Sequence, residues 1–329
     1  MVKQKFNITE DRDHFKPFNY PWAYEAWLKH EQSHWLHTEV PMLEDVKDWK
    51  QKLSEKEKKF LTNIFRFFTQ GDIDVAGGYV KNYLPYFAQP EVRMMLLGFA
   101  AREALHVAAY SHLIETLGMP ESTYSEFLEY TEMREKHEYI MELSSKNGTP
   151  ESTAAHIAAF SAFTEGMQLF SSFIMLLNFP RTGKIKGMGQ IVTWPIVDET
   201  QHCEGMIKLF RTYIQENNEI WNDDLKGKIY TIATKMVELE DKFIDLAFES
   251  EAIEGLSAEE VKEYIRYIAD RRLIAMGMKG IFKRKTNPLP WVEEMINAPT
   301  HTNFFENRAT DYAKGSMSGT WDDVWGKAA

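Results

Sequence analysis

The sequence predicts an all-α fold, a four-helix bundle core wrapped by additional helices, and three observations carry that prediction. Glu103 and His106 lie three residues apart in an apolar stretch, so on a helix the carboxylate and imidazole leave one face, with Tyr110 one turn further on. The same Glu-x-x-His spacing returns at Glu199 and His202. Acidic residues, Asp72 with Asp74 in one and Glu165 alone in the other, sit within two further strongly apolar helical stretches. Two Glu-x-x-His pairs with one further carboxylate on each of two other helices are what a bundle needs to hold two metal ions in its core.

Taken in order, residues 1–50 form an arm rich in Trp, Tyr and Pro. Pro17, Pro21 and Pro41 break any long period, leaving a short helix over 22–34 with Trp35 near the end of the arm. Ser54 and Glu57 make a capping box, and Phe60, Leu61, Ile64, Phe65 and Phe68 follow at helical spacing, predicting a helix to about Leu84, before Pro85. Asp72 and Asp74 both fall inside it, and spacing alone leaves open which of them faces solvent. The next helix spans 91–117 and is stopped by Gly118 and Pro120. A more polar stretch contains a helix over 124–144. Residues 152–178 are helical and almost wholly apolar, with Glu165 their one acidic residue; a buried carboxylate of that kind needs a partner.

Residues 179–189 read as a connection. They carry Gly and Lys but lack the Gly-x4-Gly-Lys-Ser/Thr spacing of a phosphate loop. The helix with Glu199 and His202 is expected over 191–216, with Pro195 near its beginning, and two amphipathic helices follow over 226–250 and 258–279, the second capped by Ser257 and Glu260. After Asn287, Pro288, Leu289, Pro290 and Trp291 the pattern dissolves. The prediction is one domain, 1–297, of roughly ten helices, and a mobile tail, 298–329.

Composition narrows the function. A length of 329 residues, 44% of them hydrophobic and 13% aromatic, describes an ordered chain with a large core. A net charge of −11 without a Lys/Arg cluster argues against nucleic acid as a partner. Cys203 is the single cysteine, which excludes an internal disulfide and suits a reducing compartment. The N-terminus lacks a signal-like apolar run and no stretch reads as a membrane span, so a cytoplasmic protein is expected.

The candidate metal ligands are Asp72, Glu103, His106, Glu165, Glu199 and His202, four carboxylates and two imidazoles, a donor set better suited to iron or manganese than to zinc or copper. His112 and His156 lack an acidic partner at the right offset and read as surface or satisfied histidines. Glu204 should point elsewhere, and Cys203 reads as a small packing residue. Tyr110, taken alone, is a core tyrosine.

With these residues in view, the chain resembles the small, radical-generating subunit of class I ribonucleotide reductase along most of its length. Asp72 lies 31 residues before Glu103 and Glu165 lies 34 before Glu199, spacings similar to that family's metal ligands. Phe163, Thr164, Glu165, Gly166, Met167, Gln168, Leu169 and Phe170, together with Asp198, Glu199, Thr200, Gln201 and His202, resemble its motifs, and Pro85 falls where it favours Asp72 over Asp74. The resemblance implies a ferritin-like bundle with two metal ions per chain, iron foremost and manganese or a mixed pair as alternatives. It implies that Tyr110 stores a radical generated when the reduced centre meets an oxygen species. The radical would then pass through Trp35, with Asp198 as its hydrogen-bond partner, and Tyr312 to a separate large subunit that reduces the ribonucleotide. It also implies a homodimer, docking to the large subunit through the tail, and a flavoprotein activator if the metal is manganese. Trp321 and Trp325, with the acidic residues beside them, depart from the family's pattern but suit docking into a partner groove as aromatic anchors. No segment reads as a nucleotide pocket. Carboxylate-bridged oxidases and hydroxylases of small or lipid substrates share the bundle, but have no need of Tyr110 together with Trp35 and Tyr312. An iron-storing bundle would dispense with the aromatic arm and tail.

Overall fold

Eleven α-helices and no β-sheet make up the described residues, 7–144, 148–249 and 253–297, of the computed structural model. Tyr312, Trp321 and Trp325 lie outside them. The all-α prediction and the bundle are what the chain adopts. Helix α1 is Pro21–Gln32, α2 is Leu43–Lys47, and α3, Glu55–Gly78, continues through the wider π turn Tyr79–Tyr83. Both halves of the Ser54/Glu57 capping box are made, so the start of α3 is set locally as the sequence predicts. Helix α4, Pro90–Leu117, ends at Gly118, whose φ of 73° is the left-handed conformation a helix stop requires.

The expected helix over 124–144 is shorter: Glu121–Tyr124 and Glu126–Glu129 are two short 3-10 turns, and α5 spans Thr131–Ser144. Then α6 (Pro150–Ile157), eleven residues of π-helix (Ala158–Gln168) and α7 (Leu169–Arg181) run on continuously. By length and composition this run could cross a membrane, contrary to the reading of the sequence, but its most apolar window is entirely buried within the fold. Phe163 and Phe173 have no exposed surface, and each such side chain contributes about 1.5–3 kcal/mol by burial.

Helix α8, Lys186–Glu216, starts earlier than the sequence suggests, so Pro195 lies in its interior and not near its beginning. The cause is a distant cap. Asp45 of α2 accepts from the backbone N–H of Gly187 (2.9 Å) and of Met188 (2.6 Å), and Asp48 accepts from that of Ile185 (2.9 Å). The first free N–H groups of α8 are thereby satisfied by carboxylates 137 to 143 positions away in sequence. Helix α9 is Asp223–Phe248 and α10 is Ala258–Ala275, the latter ending where Met278 N–H returns to the Leu273 carbonyl around Gly277 (φ 90°). A short helix, α11 (Pro290–Asn297), forms where the sequence pattern dissolves.

The core bundle is α3, α4, the π segment and α8: α3 packs on α4, α8 on the π segment, and α4 on α8. Helices α9 and α10 cover the π segment from outside, while α1 lies on α4 and α8. Gly166 lets these layers approach. A Cβ there would stand 2.6 Å from Cys203 Sγ and 2.8 Å from Arg272 Nε, so only glycine fits beside Glu165.

Candidate metal centre

Each bundle element delivers its acidic residues to one interior point. Asp72 comes from α3, Glu103 and His106 from α4, Glu165 from the π segment, and Glu199 and His202 from α8; all six are buried. π turns inside apolar helices are frequent at functional sites, and here the widened turn carries Glu165. Asp74, two residues beyond Asp72, instead pairs with His137 at 2.8 Å on a half-buried flank.

The two imidazoles are arranged alike. His106 directs Nδ1 at Glu103 (3.2 Å), Glu199 (3.3 Å) and Asp72 (3.4 Å). His202 directs Nδ1 at Glu103 (2.9 Å), Glu199 (3.4 Å) and Glu165 (3.9 Å). Glu103 and Glu199 therefore belong to both groups, and the residues form two overlapping four-donor sets: Asp72, Glu103, His106 and Glu199, then Glu103, Glu165, Glu199 and His202. Two shared carboxylates are what a pair of neighbouring cations requires.

The donor chemistry fits such a pair. Among the described residues, both oxygens of Asp72, both of Glu199, Oε1 of Glu103 and Nδ1 of His202 have no hydrogen-bond partner, although all are buried. Atoms this close and yet misaligned for hydrogen bonding to one another are aimed at a common point. Four carboxylates in an apolar interior are costly without compensation, and two dications would balance their charge. Without cations, protons compensate. Burial, with Glu103 and Glu199 nearby, lifts Asp72 to about 7, and burial beside Glu199 raises Glu165 well above its usual range. Despite burial, the carboxylates hold His106 well above 6.5 and His202 at about 10, and the two imidazoles hold Glu103 down at about 2.

Outside this ring, Asp198 Oδ2 lies 3.2 Å from His106 Nε2 and accepts from Trp35 Nε1 at 2.8 Å. The Trp35 ring stacks on His106 with centroids 5.8 Å apart and planes 11° apart. Arg102 contacts the same Asp198 oxygen at 3.3 Å. Tyr110 is buried and its hydroxyl has no partner among the described residues; Phe68 lies 4.2 Å away ring to ring, and burial raises the Tyr110 phenol well above 10. Asp72 is the charged group acting most strongly on that phenol.

Three further neighbours, absent from the sequence prediction, complete the surroundings. Tyr79 donates to Glu165 Oε1 at 2.7 Å, His30 of α1 lies 3.0 Å from His202 Nε2, and Arg102 ties Asp198 to the arm. Tyr79 and Arg102 could have been sought at helical offsets from Asp72 and His106, but nothing local marks His30. Among the residues read as bystanders, Glu204 faces out and pairs with Lys29, and Cys203 is a buried thiol raised to about 11 by burial. His112 is half-buried beside His37. His156 is not a surface residue: it is buried against Phe160 and Tyr83, with its Nδ1 lacking a partner.

Comparison with known proteins agrees with this geometry. The family model described as "Ribonucleotide reductase, small chain" matches residues 12–288. A probable ribonucleoside-diphosphate reductase small subunit of Invertebrate iridescent virus 6 is 54% identical, covering 98% of this chain and 99% of its own. The ribonucleoside-diphosphate reductase subunit beta of Chlamydia pneumoniae is 32% identical over 94% of this chain and 92% of its own. Among solved structures, a ribonucleotide reductase R2 subunit from Clostridium botulinum superposes with a TM-score of 0.82 at 21% identity, covering 90% of this chain and 98% of that one. The dimanganese(II) NrdF of Streptococcus sanguinis does so with a TM-score of 0.76 at 23% identity, covering 87% and 99%. These two establish the fold, while the family match and the closer sequences extend across nearly the whole chain; the chain belongs to the ribonucleotide reductase small-chain family, the oxidoreductase subunit that works beside a large one.

Proposed function

We propose that this subunit generates and stores a tyrosyl radical on Tyr110 and passes it to the large subunit for reduction of ribonucleotides to deoxyribonucleotides. Asp72, Glu103, His106, Glu165, Glu199 and His202 would hold two metal ions, Glu103 and Glu199 belonging to both donor groups. Bound there, a redox-active metal pair would supply the oxidising equivalent by reacting with an oxygen species. Iron is the proposed occupant; the dimanganese(II) relative supports manganese as the alternative, in which case a flavoprotein activator is required.

The observation that carries this reading is the line Trp35, Asp198, His106, joined to the carboxylate cluster one helical turn from Tyr110. Tyr110 gives up one electron and its hydroxyl proton, the proton passing toward the carboxylate cluster, whose Asp72 is the charged group acting most strongly on the phenol. Phe68 and the surrounding apolar residues exclude water and reductants from the resulting phenoxyl. Asp198 joins the centre to Trp35 through a single oxygen, which can take the indole proton when Trp35 is oxidised. From Trp35 the route continues to Tyr312 in the tail, 298–329, which docks on the large subunit with Trp321 and Trp325 as anchors. Residues 1–297 form the metal-bearing domain of a cytoplasmic homodimer.

Electron paramagnetic resonance tests the assignment. Protein loaded with about two iron ions per chain and then exposed to air should develop a tyrosyl signal, and Tyr110→Phe should bind the metals but give none. A signal persisting in that variant would remove Tyr110 from the role. Because its hydroxyl has no partner to lose, Tyr110→Phe should melt within about 1 kcal/mol of the unmodified protein.

A further inference from the structure

His106 and His202 share one orientation, with Nδ1 turned inward and Nε2 outward, but their outer partners differ in kind. Behind His106 stands a carboxylate, Asp198; behind His202 stands another imidazole, His30, with Nε2 to Nε2 at 3.0 Å. Two ring nitrogens that close share one hydrogen, so one must present a bare lone pair. A His202 that offers its Nδ1 lone pair to a cation carries its hydrogen on Nε2. His30 Nε2 is then the acceptor, and the hydrogen of neutral His30 sits on Nδ1.

The surroundings hold His30 to this task. It is 1% exposed, edge-on to Phe99 (5.1 Å) and against the His202 ring (5.0 Å). Its backbone carbonyl accepts from Arg102 Nη2 (3.1 Å) and that of Ser33 from Nη1 (2.8 Å), and the same guanidinium touches Asp198. The end of α1 therefore braces the outer partners of both histidines at once. The guanidinium beside it also disfavours a second positive charge on His30.

We propose that His30 is a positioning residue which, by accepting the Nε2 hydrogen of His202, fixes the tautomer and ring angle that present Nδ1 to the metal. The inference rests on His202 being a ligand. Since Asp198 is untouched, loss of His30 should weaken one metal position and leave the other.

The test is a manganese(II) titration of the metal-free full-length protein, with free ion followed by its paramagnetic resonance signal. The unmodified chain should take up two ions. His30→Leu, which fills the space without an acceptor, should weaken one of them by about 10- to 100-fold and leave the other close to unchanged. His30→Gln, whose side-chain oxygen can accept the same hydrogen, should restore both. A Leu variant binding both ions normally, or a Gln variant as weak as Leu, would overturn the role. If the Leu variant does not fold, His30→Met replaces it. Should neither fold metal-free while Gln does, His30 is a structural residue and the proposal fails. An unmodified chain that does not bind two ions would overturn the ligand set and this inference with it, whereas a two-ion chain indifferent to His30→Leu overturns this inference alone.

Discussion

Glu103 and Glu199 each face both imidazoles, so no ligand of the centre can change its charge without altering the others. Protons and metals therefore compete for one set of atoms. With His202 at about 10, His106 also raised and Asp72 at about 7, the metal-free centre is protonated on both imidazoles at neutral pH, and increasingly on Asp72 below it. Cations must displace those protons, so binding should tighten as pH rises from about 6 to 8 and slacken as it falls. In weakly buffered solution, adding manganese(II) should release about two protons per chain from the imidazoles, further ones from the raised Glu165 where it is protonated, and more near pH 6 than near pH 8, read by a pH indicator. Release of none would mean that the side chains are not the ligands. The Glu-x-x-His offsets are legible as sequence because one helical turn sets them; the His30 to His202 contact is not, since it joins residues 172 positions apart.

Helices α5 and α9 are joined by a buried ion pair that the metal chemistry does not use. Lys136 Nζ lies 2.7 Å from Glu240 and sits over the rings of Phe67 (4.1 Å) and Phe243 (4.5 Å), and Ser171 of α7 donates to the same glutamate. Burial pushes both partners toward neutrality, Lys136 downward and Glu240 upward. Lys136→Met should therefore leave an uncompensated buried carboxylate and lower stability by about 3–5 kcal/mol, whereas Lys136→Met with Glu240→Leu should recover much of that loss. Chemical denaturation of the single and double variants measures both, and equal losses would show that the charge pair is not what matters. Local signals explain why some element ends are predictable and others are not. The caps of α3 and α10 are made by residues within the same turn, Ser54 with Glu57 and Ser257 with Glu260, and their starts agree with the sequence. The start of α8 depends on Asp45 and Asp48, far away in sequence, so periodicity alone places it too late, with Pro195 near its beginning.

Across the whole molecule, the proposed route leaves the bundle through Trp35 and reaches the partner through the tail. Tyr312→Phe should accordingly keep the tyrosyl signal and metal content but abolish turnover with the large subunit; full activity would take Tyr312 off the route. The sequence by itself determined the helical class, the family and the residues whose spacing is one turn of helix, because periodicity, capping and short motifs are local properties of the chain. Only the tertiary structure decided that Glu103 and Glu199 face both histidines, that Asp198 serves Trp35 and His106 with one oxygen, that eleven residues around Glu165 unwind into π-helix, and that His30 stands behind His202. Each of these depends on how separate helices rotate and approach one another, and helical spacing carries no record of that.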